Sequence, residues 1–198
     1  MFLKEELLYS IGASEENYKP GDYLFHEGGN PQFYFQIVSG EVKLNSYHSD
    51  GKEFIQSILN SPYAVGEYML YIEKPYPTNA VALTNCTIIK ICRNKLLKFF
   101  DCNPGLYINL CRSLSKNLYS KSVMMQKLSC YTAVERLNEV LQMMKQDQLN
   151  KSPYTYEIPM TRQQLASLTG LCVETTIRAI KRMEREKILR IKNRKILI

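Results

Sequence analysis

Between Val173 and Lys181 the chain sets a carboxylate (Glu174), a guanidinium (Arg178) and an ammonium (Lys181) on one side of a helical repeat, with Val173 and Ile177 among them. On the opposite side Thr176, Ala179, Ile180 and Met183 fall at i, i+3, i+4 and i+7, the spacing of a buried stripe. A merely solvated face has little use for an isoleucine among charges. A face that reads base edges uses all of these groups: arginine donates twice to guanine, glutamate accepts from cytosine, and an aliphatic side chain packs on the thymine methyl. The competing reading is a protein-docking helix with a basic surface.

A second constellation lies in VGEYMLYIEKPYPTNAV, residues 65–81. Gly66-Glu67 interrupts a strand-like apolar run. A loop bracketed by Pro75 and Pro77 follows and ends in Thr78 and Asn79. The stretch reads as a pocket wall with an acid, Glu67, beside Gly66, and a single cation, Lys74, set among turn residues.

The elements that must position these groups are legible in outline. Thr161 with Gln164 three residues on forms a capping-box pattern, predicting a helix start. Leu165 and Leu168 face inward, Ala166 permits a close helix crossing, and Gly170 supplies a turn before a helix over about 173–186. Helix, short glycine turn, helix is the helix-turn-helix pattern. The tail ILRIKNRKILI reads as two short strands around Lys192-Asn193-Arg194, a β wing whose basic tip suits phosphates. Upstream, a short helix (2–11) precedes β structure over 18–93, punctuated by Gly28-Gly29-Asn30-Pro31, Ser39-Gly40 and a hairpin signal at Asp50-Gly51. That pattern predicts an all-β roll or barrel.

Past Arg93 the period becomes helical. Asn103-Pro104 opens a longer helix, along which Leu106, Leu110, Leu114 and Leu118 recur at steps of four, followed by Met125 and Leu128. Such a stripe packs either on its own domain or on a second copy of itself. A further helix carries Val134, Leu137, Val140, Leu141 and Met144 on one face, and DQLNKSP (147–153) reads as a loop.

Charge separates the two ends. Residues 1–150 hold 15 Lys/Arg and 15 Asp/Glu, whereas 151–198 hold 11 and 4, so the whole net charge of +7 lies in the last 48 residues. Asymmetry of this kind points to a polyanionic partner for the C-terminal part. The six cysteines form no Cys-x-x-Cys pair and read as core thiols. Two isolated histidines and no His-x-His argue against a metal enzyme on a cupin-like roll, so neither catalytic nor metal residues are assigned. No run approaches the ~18 apolar residues of a membrane span. The acidic start MFLKEELLYS is unlike a signal peptide, and the expected location is the cytoplasm, away from membranes.

Taken in order, KPGDYLFHEGGNPQFYFQIVSGEVKL, DGKEFIQSILNSPYAVGE and above all GLCVETTIRAIKRME resemble the CRP/FNR family of bacterial transcription regulators over essentially the whole chain. The resemblance implies an α+β protein: a jelly-roll-like effector β-roll of the cyclic-nucleotide-binding type (1–100), a dimerisation helix (101–130) and a winged helix-turn-helix (131–198). It implies a homodimer on palindromic double-stranded DNA, with RNA polymerase as a further partner and Leu106, Leu110, Leu114, Leu118, Met125 and Leu128 along the dimer seam. The family motif Glu-Thr-x-x-Arg stands as Glu174-Thr175-Thr176-Ile177-Arg178, so Glu174 and Arg178 are expected to read a C·G pair. Thr161, Arg162 and Gln163 match positions that grip phosphates. Val173 stands where the cAMP-responsive branch has a third base-reading arginine, and Ile177 where Gly or Ser is usual. Cys172 replaces the usual Ser or Thr cap. The implied effector pocket comprises Gly66, Glu67, Tyr68, Met69, Thr78, Asn79 and Ala80. There the pattern breaks, because aligning Ala80 with the motif's alanine puts Thr78 where the phosphate-pairing arginine belongs. A buried phosphate without its cation is poorly compensated, which argues against cAMP or cGMP. No cofactor is expected, and the effector is left unidentified. The alternative is a small-molecule-binding signalling module whose basic C-terminal part contacts a protein.

Overall fold

Near-continuous runs of branched and aromatic residues, such as FYFQIV and TIIKIC, make a sheet that is buried on both faces. In the computed structural model, which describes residues 3–72, 74–129, 132–146 and 152–198, the elements follow as α1 (Glu5–Ser10), β1 (Ser14–Tyr18), β2 (Tyr23–Phe25), β3 (Phe33–Ser39), β4 (Glu41–Tyr47), β5 (Glu53–Asn60), β6 (Ala64–Val65), a 3-10 turn (Glu67–Tyr71), β7 (Asn79–Ala82) and β8 (Cys86–Cys92). Then come α2 (Arg93–Cys102), α3 (Gly105–Leu128), α4 (Ala133–Gln146), α5 (Arg162–Thr169), α6 (Val173–Arg185), β9 (Arg190–Lys192) and β10 (Lys195–Leu197). The chain divides into two compact units, 1–117 and 118–198, with the division inside α3. Residues 147–151 of the predicted loop lie outside the described residues, as does the Phe2 end of the predicted first helix.

The first unit holds two antiparallel four-stranded sheets, ordered β1-β8-β3-β6 and β2-β7-β4-β5. Because alternate side chains leave a strand on opposite faces, Phe35, Ile37 and Ile88 join Val42, Leu44, Ala80 and Ala82 in one core. Their neighbours Tyr34, Ile89 and Ile91 face the other way and pack with Leu8, Leu96, Phe100 and Leu110. Asp50-Gly51 turns the β4–β5 hairpin as predicted. Two strands differ from the expectation. β structure begins at Ser14 rather than Tyr18, because Ser14–Tyr18 pairs along β8. Asn79–Ala82, read from sequence as the end of a loop, is an inner strand between β2 and β4.

The leucine stripe of α3 is also corrected. Leu110 is only 3% exposed and belongs to the core of the first unit, with Leu106 and Leu114 packed half-buried around it. These three are therefore not on a free seam. Leu118 and Met125 are exposed, at 67% and 71%, and Leu128 is half-buried. The reason is geometric: at 3.6 residues per turn a step of four drifts about 40° around the helix, so Leu118 sits about 120° from Leu106.

In the second unit α4, α5, α6 and the wing share one core of Leu137, Leu141, Leu165, Ile180, Met183, Leu189, Ile196 and Ile198. Lys127 of α3 pairs with Glu139 of α4. Among the described residues no helix is long and apolar enough to cross a membrane.

Candidate DNA-reading surface and effector pocket

The start of α5 is built by the predicted capping box. Thr161 Oγ1 accepts from the Gln164 amide at 3.1 Å, and Gln164 Oε1 accepts from the Thr161 amide at 2.8 Å. Removing such a cap costs about 1 kcal/mol. Gly170 then ends the helix in the left-handed conformation (φ 67°), which glycine adopts without strain, and the Leu171 amide closes onto Ala166 O at 3.0 Å. This turn sets α6 against α5. Thr176, Ala179, Ile180 and Met183 are all buried, whereas Glu174, Ile177, Arg178 and Lys181 are exposed and Val173 and Thr175 half-buried. The two faces read from the spacing are those of the folded helix.

At the entry of α6, Cys172 occupies the cap position but its side chain makes no capping hydrogen bond. Its Sγ lies 2.9 Å from Thr175 Oγ1, which also accepts from Arg178 Nη2 at 3.4 Å. The Thr175 hydroxyl, and then its backbone amide, hold the Cys172 thiol below the ordinary cysteine pKa. Arg162 donates through Nη1 to Arg194 O at 2.5 Å, joining the first residue of α5 to the wing turn. Gln163 is exposed. Tyr156 and Ile158 add main-chain pairing to the wing through Ile198 and Ile196.

In the second constellation Gly66, Glu67, Met69, Thr78, Asn79 and Ala80 are all buried. Gly66 is left-handed (φ 70°), and a Cβ there would stand 3.1 Å from the Tyr76 ring and 3.2 Å from that of Phe25. Those rings stack at 3.7 Å between centroids and, with Met69 and Ala80, form core. Glu67 is 3% exposed and its Oε1 accepts from Asn117 Nδ2 of α3 at 2.7 Å. Burial first, then the Glu67 charge, raises the Tyr68 hydroxyl above its ordinary pKa. Asn79 Oδ1 accepts from the Glu27 amide, and its Nδ2 donates to Asn45 O. Thr78 is 6% exposed, and its hydroxyl has no hydrogen-bond partner among the described residues. Lys74 is exposed.

Residues 135–198 match the model of the Crp-like helix-turn-helix domain, and residues 15–103 that of the cyclic nucleotide-binding domain. The chain belongs to the CRP/FNR family of DNA-binding transcription regulators. It is 26% identical over 177 residues to the cAMP-activated global transcriptional regulator CRP of Salmonella typhimurium, covering 88% of this chain and 84% of that one. In fold it resembles the c-di-GMP-responsive global regulator CLP of Xanthomonas campestris (TM-score 0.82, 20% identity, 98% of this chain and 97% of that one). It also resembles FixK2 of Bradyrhizobium japonicum (TM-score 0.78, 22% identity, 94% and 92%). CRP and CLP are both named as global regulators, in line with the sequence reading of a regulator.

Within this CRP/FNR chain, Glu67, Thr78, Asn79 and Ala80 are all buried, and Ala80 shares a core with Met69, Tyr76 and Phe25. Thr78 contributes a neutral, buried hydroxyl, and the Glu67 carboxylate is engaged by Asn117. Asn117 was not foreseen: it lies 50 residues from Glu67, and no short motif marks it. The bond from Arg162 to the wing was likewise absent from the sequence reading, which gave Arg162 to phosphate alone.

Proposed function

We propose that the protein binds a two-fold-symmetric DNA site as a homodimer in the cytoplasm, inserting α6 into the major groove, and that its β-roll does not answer to cAMP or cGMP. The observation that carries the reading is the exposed Glu174–Ile177–Arg178–Lys181 face, backed by a fully buried stripe on a capped helix-turn-helix. Glu174 and Arg178 carry base selection, Ile177 offers a thymine-methyl contact, and Lys181 lies one turn further along the same face. Thr161 and Gln163, at the start of α5, face the phosphate backbone, and RNA polymerase is the protein partner at the promoter.

A helix-turn-helix dimer needs its recognition helices about 34 Å apart. The dimer seam is carried by the exposed face of α3 instead of the leucine stripe. Ile108, Cys111, Ser115, Leu118, Ser122 and Met125 alternate steps of three and four, the a/d pattern of a two-stranded coiled coil, and all six are exposed in the single chain. Relatives differ in effector by name, cAMP for CRP and c-di-GMP for CLP, so the shared fold leaves the ligand open. A neutral Thr78 and an occupied Glu67 support the reading that the ligand here lacks a phosphate at that position.

The test is selection of bound DNA from a random pool, with and without cyclic nucleotides. The expected result is an enriched palindrome, unchanged by cAMP or cGMP. Glu174→Ala and Arg178→Ala should relax the C·G preference within each half-site by about 1–3 kcal/mol per lost contact. Variants that bind every sequence as the parent does would remove the recognition assignment, and tight cAMP binding in calorimetry would overturn the missing-cation reading.

A further inference from the structure

The wing turn combines backbone strain with a fixed partner. Asn193 and Arg194 both have positive φ (49° and 64°), the signature of a two-residue type I′ hairpin. The second position of that turn usually takes glycine, because a Cβ there crowds the backbone. Here an arginine holds it, placing a cation at the tip between the exposed Lys192 and Lys195. Its carbonyl is the one that accepts from Arg162 Nη1 at 2.5 Å. Arg162 is itself anchored: it directly follows the capping-box Thr161, on a helix whose Leu165 shares the core with Ile180 and Met183 of α6. On the other flank of the turn, Lys195 pairs with Glu157 at 3.0 Å, with both side chains more than half exposed.

We propose that Arg162 is a positioning residue that clamps the wing tip to the helix-turn-helix, so that Arg194 and Lys192 meet DNA phosphates in register with α6. Arg162 has five N–H donors, so one spent on Arg194 O leaves others for a phosphate. It therefore bridges the wing turn and the DNA backbone, in place of acting as an independent phosphate contact. Without it, the two wing strands keep their mutual pairing, the main-chain bonds to Tyr156 and Ile158 and the Ile191 amide on Glu184, while the turn flank keeps only an exposed ion pair, which contributes little. The inference rests on the DNA-binding reading above.

Titrations of the full chain on its selected palindrome over a range of salt separate the alternatives, using Arg162→Ala, Arg194→Gln and the double variant. One phosphate contact contributes about one to the slope of log affinity against log salt. As a clamp, Arg162→Ala lowers the slope by about three per subunit, its own contact and those of Arg194 and Lys192, and Arg194→Gln by about one, and the double variant binds within about twofold of Arg162→Ala. Losses that multiply, each variant removing about one, would overturn the clamp, as would an Arg162→Ala that binds like the parent. Amide hydrogen exchange on the free chain supplies a second readout. Residues 192–195 exchange faster in Arg162→Ala while the α5 and α6 amides keep their protection; unchanged exchange at the tip also overturns the proposal. A parent that bound no palindrome would sink the DNA-binding reading, whereas the exchange result would still report the bridge in the free protein.

Discussion

Asn117 Nδ2 stands 2.7 Å from Glu67 Oε1, so the long helix supplies a hydrogen-bond donor to a buried acid of the β-roll. A carboxylate that is 3% exposed needs its donors, because the desolvation cost of a charge is offset only by such partners. Asn117→Leu should therefore destabilise the first unit by about 1–3 kcal/mol, read as a lower midpoint in chemical denaturation. Asn117→Gln should recover part of the loss; a leucine variant as stable as the parent would show that this bond contributes nothing.

The two faces of α3 should respond differently to substitution. Leu118→Asp places a charge on the exposed face proposed as the dimer seam and should leave a folded monomer in sedimentation. Leu110→Ala opens a cavity in the β-roll core and should cost about 2–5 kcal/mol of stability. A Leu118→Asp chain that still sedimented as a dimer would move the seam elsewhere.

Cys172 sits at a cap position with a thiol, a weak acceptor, in place of a hydroxyl oxygen. Cys172→Ser restores an oxygen acceptor for the first-turn amides of α6, and the melting temperature of the second unit should rise by an amount equivalent to about 0.5–1 kcal/mol. No gain would mean that the Cys172–Thr175 contact already serves the same role.

The same thiol gives a pH-dependent signal. Because the Thr175 hydroxyl, then its amide, stabilise the thiolate, alkylation of Cys172 should have its midpoint below the ordinary cysteine value, with more thiolate than usual near neutral pH. Thr175→Val removes the larger cause and should move that midpoint up. Site-resolved mass spectrometry after timed iodoacetamide labelling reads both, and an unmoved midpoint in Thr175→Val would discard the assignment.

By itself the sequence determined whatever local periodicity and turn chemistry decide. The Thr161–Gln164 capping box, the Gly170 turn, the buried stripe Thr176–Ala179–Ile180–Met183, the wing and the Asp50-Gly51 hairpin all depend on residues within a few positions of one another, where helix and strand periods act directly. Local pattern was silent where partners lie far apart in the chain. Asn79–Ala82 became an inner strand because β2 and β4 flank it, and its short polar start gave no strand signal. Leu110 went to the core because the β-roll covers that side of α3, which a count of leucines at steps of four does not register. The bonds from Asn117 to Glu67 and from Arg162 to Arg194 span 50 and 32 residues, and only the tertiary structure brings those donors to their acceptors.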